Sequence, residues 1–298
     1  MRLSKRCLLR PSWPFFRIEL AMTQPAQSRE LRTAYAGQIA RLAELREMRI
    51  QEAFAAVPRE EFLPPPPWTT ISAGIAIQTH DLAGIYDNVL VAIAPERGIN
   101  NGEPALHAAW LDAVSPQPGE MVVHVGAGTG YYTAILARLV TPGGNVEAFE
   151  YEPDLAAQAK RNLMDYANVT VHAASAFGRP LPKADVIYVN AGVKAPDAEW
   201  LKALKIGGRL IFPWQPEKGW GPAILVRRRP GGFSAKPLMT VGFISCSGTA
   251  EKATSKHRLT EAELASVRSI WLIADRPPDQ TAIAVYDHVW FSKAEVGA

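Results

Sequence analysis

The sequence predicts an α/β protein: a doubly wound, mainly parallel sheet with a C-terminal antiparallel hairpin. Beyond residue 119, short apolar runs alternate with helical segments, as strands buried on both faces and their crossover helices require. One such run passes through glycines at 126, 128 and 130 directly into a helix. Of 298 residues, 48% are apolar and 20% charged, which allows a real core and excludes a disordered chain.

Residues 1–27 read as a disordered head. Arg2, Lys5, Arg6, Arg10 and Arg17 outweigh Glu19, so residues 1–21 carry +4 and the remainder −1 of the overall +3. The pI of 8.8 therefore reflects the head, and the body has no basic footprint for nucleic acid. Pro11, Pro14 and Arg17 break any apolar centre of a secretory signal, and Met22 offers an internal start.

Residues 28–114 form a helical and irregular cap. A helix over 28–56 is expected behind the N-cap Ser28, with Leu31, Tyr35, Ile39, Leu42, Leu45 and Phe54 at helical spacing. Pro58 ends it, and the prolines at 64–67 form a stiff spacer. Residues 68–104 lack a clean period and predict irregular structure with a few edge strands. A helix returns over 105–114.

Residues 115–248 are the sheet domain. Strands are expected at 122–125, 146–149, 169–172, 186–189 and 210–212, and helices at 131–139, 153–163 and 198–204, the last behind Asp197. Runs 223–228 and 238–245 flank Pro230-Gly231-Gly232 and predict the closing hairpin. Residues 249–298 read as an appendage, with a near capping box at Thr260-Glu261-Ala262-Glu263 and strand character over 283–291. No run of about 18 uncharged apolar residues suggests a spanning helix. Two cysteines, Cys7 and Cys246, make no disulfide framework or zinc site, which favours a reducing, cytoplasmic setting and no metal.

The segment Val122-Val123-His124-Val125-Gly126-Ala127-Gly128-Thr129-Gly130-Tyr131 brings backbone close to a ligand at a helix N-terminus. Dinucleotide sites place Gly or Ala at the position of Tyr131. The Gly-x-Gly-x-Gly spacing suits S-adenosylmethionine, which has no pyrophosphate to cradle. Glu150, 24 residues past Gly126 at the end of the next strand, can accept hydrogen bonds from both ribose hydroxyls.

Residues 46–248 resemble the protein-L-isoaspartate (D-aspartate) O-methyltransferases, a Rossmann-like family of class I methyltransferases. Phe54, Val57-Pro58-Arg59-Glu60, Phe62 and Pro64 match a motif that such methyltransferases in general lack. The stretches 123–139, 146–163, 184–195 and 204–213 match the glycine loop and the next strands. The resemblance covers about two-thirds of the chain. It implies cofactor contacts at Gly126, Ala127, Gly128, Gly130, Tyr131, Glu150, Ser175 and Asn190, and a protein or peptide as methyl acceptor.

The acceptor loop departs from the family. Asn100-Asn101-Gly102-Glu103-Pro104 stands where the family has Thr-Ile-Ser-Gln-Pro, so Gly102 replaces its serine, and Ala174-Ser175-Ala176 replaces Gly-Asp-Gly. Asn100, Asn101 and His107 can donate to an acceptor, while ionised Glu103 would repel a carboxylate. The residues are equally consistent with a polar turn shaped by Asn and Gly. Isoaspartyl activity is therefore expected to be weak or absent, and Gly102→Ser with Glu103→Gln to recover part of it. His124 reads as a strand-end histidine satisfied by backbone, Trp214, Trp220 and Trp271 as possible cleft walls, and 227–229 as a solvated edge. Three functions fit: an isoaspartyl carboxyl methyltransferase, a relative with another peptide or small-molecule acceptor, or a non-catalytic cofactor-binding module.

Overall fold

The computed structural model describes residues 15–217, 219–246 and 258–297. The cap holds helices α1 (Phe15–Leu42) and α2 (Met48–Ala56), strands β1 (Trp68–Ser72), β2 (Ile75–Thr79), β3 (Leu90–Ala94) and β4 (Ile99–Asn100), and helix α3 (Pro104–Val114). The sheet domain follows with β5 (Met121–Val125), α4 (Tyr131–Leu139), β6 (Asn145–Glu150), α5 (Pro153–Asn162) and β7 (Val169–Ala173). It continues through β8 (Ala184–Val189), α6 (Ala198–Ala203), β9 (Leu204–Pro213), β10 (Trp220–Arg229) and β11 (Gly232–Gly242). The last stretch gives α7 (Glu261–Ala265), β12 (Ser269–Leu272), β13 (Ala282–Val285) and β14 (Val289–Ser292).

These strands form one ten-stranded sheet in the order β13-β14-β12-β11-β10-β9-β8-β5-β6-β7. Strands β7, β6, β5, β8 and β9 run parallel, and from β9 onward every pairing is antiparallel. Alternation puts successive side chains on opposite faces. Val122, Val146, Val186 and Tyr188 join the core beneath the cap and α4, whereas Val123, Phe149, Ile187 and Val189 join the core with Trp200 of α6. The predicted doubly covered parallel sheet is therefore present, and its strands and helices lie within two residues of expectation except β9, which starts at Leu204 rather than 210.

The differences lie where contacts are long-range. The helix expected over 28–56 is two helices, because Glu44 turns into the left-handed region (φ 49°) and reverses the chain. Ser28 is no N-cap; α1 runs through it, and its hydroxyl donates to Glu60 (2.7 Å). Helix begins at Phe15, inside the head expected to be disordered, and residues 1–14 lie outside the described residues. Residues 68–100 are a four-stranded antiparallel sheet, β2-β1-β3-β4. Its outer strand β2 is exposed on both faces, so no apolar alternation announces it.

The C-terminal stretch is not an appendage. β12 pairs with β11 and carries β14 and β13 outward, so the hairpin β10–β11 does not close the sheet. Trp214 stacks on Phe291 with centroids 4.1 Å apart and ties this extension to the core. Thr260 and Glu263 complete the anticipated capping box, and Asp197 caps α6 by accepting from Glu199 N–H. Strand β10 lies between two strands, so Arg227, Arg228 and Arg229 sit on an interior strand rather than a sheet edge.

Candidate functional site

Among the parallel strands the first in sequence, β5, is central; the chain builds outward through β6 and β7, then returns to its other side with β8 and β9. Ligands of such sheets bind at the carboxyl ends of the strands beside this reversal. A cavity of about 580 Å³ lies there. It is lined by the glycine loop, Glu150, Ser175 and Asn190 at one end and by residues 99–103, Leu106, His107 and Tyr132 at the other.

Gly126, Gly128 and Gly130 all have positive φ (77°, 55° and 101°), which side chains rarely adopt. A Cβ at Gly130 would also meet Leu163 at 2.8 Å. Four of the loop's five amides are already engaged. Gly126 and Ala127 N–H donate to Phe149 C=O, Gly130 N–H to Ala127 C=O, and Gly128 N–H to Glu150 Oε2 (2.7 Å). With these four amides engaged, the turn supplies space and close backbone approach. That suits a ligand without a pyrophosphate.

The other Glu150 oxygen accepts from Glu152 N–H (2.9 Å), so each retains a lone-pair direction for a hydroxyl. Burial raises the Glu150 pKa, and the N–H donors of Glu152 and Gly128 oppose that rise. Asn190 Oδ1 is buried without a partner, an acceptor turned toward no protein donor. Ser175 Oγ accepts from Phe177 N–H (3.1 Å) and keeps its own O–H. These features fit an adenosine-type cofactor. The Tyr131 ring instead packs on Phe54 and Phe62, and its hydroxyl meets that of Tyr35 at 3.3 Å, so only its backbone remains for the cofactor.

At the opposite end, Asn100 Oδ1 accepts from Gly102 N–H (3.0 Å) and shapes the turn. Asn101 Oδ1 accepts from Arg59 Nη2 (2.9 Å) and from Val91 N–H (3.1 Å). Glu103 is exposed and accepts from Asn88 Nδ2, which holds its charge at the rim. His107 is buried, stacks on Tyr132 (centroids 3.8 Å apart), and shares a hydrogen bond between Nδ1 and the Tyr188 hydroxyl (3.0 Å). Burial, then the neighbouring His124 and Arg59, lower its pKa to about 3, so the ring is neutral at physiological pH.

Gly102 explains the altered loop. Its φ is +76°, and a Cβ built on it would lie 2.3 Å from His107 Nε2 and 2.8 Å from Cδ2. The imidazole thus fills the volume a side chain at 102 would need. The expected rescue by Gly102→Ser with Glu103→Gln is incompatible with this packing.

The remaining sequence candidates separate clearly. His124 is buried on β5 with Nδ1 2.8 Å from Thr133 Oγ1 and Nε2 without a hydrogen-bond partner, so backbone does not satisfy it, and it does not line the cavity. Trp220 does line it; Trp214 and Trp271 lie in the core. Sequence reasoning missed Ile71, Leu90 and Ile93 of the cap sheet, Tyr132, and residues 240–246 at the end of β11, all of which line the cavity. No local periodicity marks them. No metal-ligating cluster occurs among the described residues.

A parallel sheet with this glycine turn after its first strand and an acid closing the second defines a class I S-adenosylmethionine-dependent methyltransferase. Within that class the sequence selects one family. The family model of protein-L-isoaspartate (D-aspartate) O-methyltransferase (PCMT) matches residues 38–251, and the chain belongs to this family. A protein-L-isoaspartate O-methyltransferase of Ignicoccus hospitalis is 30% identical over 204 residues, 67% of this chain and 89% of its own. That of Aeropyrum pernix is 34% identical over 190 residues, 62% of this chain and 67% of its own. A solved protein-L-isoaspartate O-methyltransferase has the same fold at 23% identity, with a TM-score of 0.59 and 83% of each chain covered. A Plasmodium falciparum beta-aspartate methyltransferase in complex with S-adenosyl-L-homocysteine gives a TM-score of 0.60 at 17% identity, over 73% of this chain and 99% of its own.

Proposed function

We propose that this protein transfers a methyl group from S-adenosylmethionine to a carboxylate of isoaspartyl or D-aspartyl residues in proteins and peptides. The observation that carries this reading is the single cavity joining the glycine loop and Glu150 to the polar loop 99–103 and His107. When bound, the cofactor supplies an electrophilic methyl group on a sulfonium. Glu150 would accept the ribose hydroxyls, the 126–130 turn would admit the nucleoside, and Asn190 Oδ1 and Ser175 would offer further polar contacts. Asn100, Asn101 and the neutral His107 form the acceptor end, with Glu103 at its rim.

A carboxylate with a pKa of about 4 is ionised at neutral pH and needs no general base. The protein's task is alignment and exclusion of water. A neutral His107 is consistent with this, because an imidazole whose pKa is lowered to about 3 is a poor base but still a hydrogen-bonding group. The reading includes no nucleic-acid or membrane partner and a cytoplasmic location. The near-neutral body supports the absence of a nucleic-acid footprint, and no helix among the described residues is long and apolar enough to cross a membrane.

One observation favours a second reading within the lineage: His107 occupies the space of a side chain at 102 and would suit a peptide or small molecule of different shape. Labelled methyl transfer to an isoaspartyl peptide, with its normal aspartyl counterpart as control, decides between them. Transfer to the isoaspartyl peptide alone is the expected result. Binding of S-adenosylhomocysteine without transfer would leave the second reading. Absence of binding would overturn both.

A further inference from the structure

Among the described residues two arginines are buried, and they are balanced differently. Arg209 forms a two-pronged ion pair with Glu120 (2.6 and 2.9 Å). Arg59 is fully buried, yet no carboxylate among the described residues forms an ion pair with it. Its guanidinium donates to the carbonyls of Ile85 (2.6 Å), Asp87 (3.2 Å) and Val89 (2.7 Å), and to Asn101 Oδ1 (2.9 Å). The rings of Tyr131 and Tyr35 lie 5.9 and 6.0 Å away. Nearby acids have other partners: Glu60 accepts from Ser28 and Tyr86, Asp87 from Gln38, and Glu103 from Asn88. A fixed cation surrounded by dipoles alone retains its field, and burial leaves that field little screened by salt.

Asn101 and Tyr131, both in contact with this cation, line the cavity, and the charge also depresses the His107 pKa. We propose that Arg59 is a positioning and specificity-determining residue: it fixes the acceptor loop through Asn101 and makes that end of the cavity prefer an ionised carboxylate. This rests on the reading of the 99–107 end as the acceptor site. Glu103 does not cancel the effect, because it is exposed at the rim and screened by solvent.

The test measures, by calorimetry on the full chain saturated with S-adenosylhomocysteine, affinity for an isoaspartyl peptide and for the same peptide with that carboxyl as its amide. Wild type should prefer the acid about tenfold or more. Arg59→Gln should reduce that preference below about threefold, weakening the acid peptide more than the amide peptide, and Arg59→Lys should retain it. Equal weakening of both peptides, or an acid preference that persists in Arg59→Gln, overturns the inference. A fold-independent arm uses wild type alone: the preference should survive a rise from low to high salt, and its collapse would assign it to surface charge instead. If wild type binds S-adenosylhomocysteine but shows no acid preference, the carboxylate reading itself falls. A wild-type preference that ignores Arg59 removes only the role of Arg59.

Discussion

The cofactor end of the cavity is assembled from the ends of four parallel strands, whereas the acceptor end rests on a loop held by an arginine 42 residues away in sequence. In the first, neighbouring residues do the work: glycines at positive φ follow β5 directly, and Glu150 ends β6 and ties back to Gly128. In the second, Asn101 depends on Arg59, and Gly102 depends on His107. A site built locally is constrained by backbone geometry and changes little. A site built from distant side chains can exchange one residue for another if volume and charge are kept.

The largest effect should come from restoring the family's serine. Gly102→Ser combines an unfavourable φ with overlap on the His107 ring, so acceptor methylation should fall about a hundredfold, or about 3 kcal/mol. Calorimetric S-adenosylhomocysteine affinity should stay unchanged. Adding His107→Ala frees that volume and should recover part of the rate, limited by the imidazole lost from the acceptor end; no recovery would break the proposed exchange between the two positions.

Glu150→Ala tests the other end and should cost about 1.5–3 kcal/mol of S-adenosylhomocysteine binding. The raised Glu150 pKa adds a pH signature, since a carboxylate that protonates early loses its acceptor role as pH falls. Affinity should therefore begin to weaken above the ordinary carboxylate range, and Glu150→Gln should flatten the profile. Unchanged affinity in the alanine variant would remove Glu150 from the cofactor site.

His124 separates structure from catalysis. Burial lowers its pKa from 6.5 to about 3, so between those values the unfolded chain binds a proton that the native chain refuses. Stability thus falls as pH drops below 6.5, by about 1.4 kcal/mol per unit for this group. His124→Leu should flatten denaturant midpoints over pH 6.5–5 relative to wild type, by about 2 kcal/mol across the range. An unchanged slope would show that His124 is not buried in its neutral form.

The smallest change is expected at Arg97. Its guanidinium joins the cap to the start of α5 through Glu152 (2.9 Å) and Asp154 (2.6 Å). Because these groups are solvated and screened, Arg97→Gln should alter S-adenosylhomocysteine affinity less than about threefold, and only at low salt. A larger, salt-independent loss would mean that the cofactor end also relies on long-range contacts.

Much of this architecture was legible in the chain. Apolar runs of three or four residues separated by helical segments announce a parallel sheet because both of its faces are covered. The glycine turn and Glu150 are legible because φ preferences and strand-end position are local. The cap sheet was not, since β2 is exposed on both faces and lacks alternation. Strands β12, β13 and β14 looked like a separate tail because edge pairing with β11 is a choice among distant partners. The break after α1 depends on Glu44 adopting a conformation that its residue type does not favour.

The sequence by itself therefore determined the periodicity of the elements, the glycine turn and the acid that closes β6, because steric limits on neighbouring residues act before any tertiary contact forms. Only the tertiary structure decided that Arg59 would be buried without an acid, that Asn101 would face it, and that His107 would occupy the space beside Gly102. Each joins segments whose separation carries no periodic signal. Their energies come from desolvation and close packing, which exist only once distant parts of the chain have met.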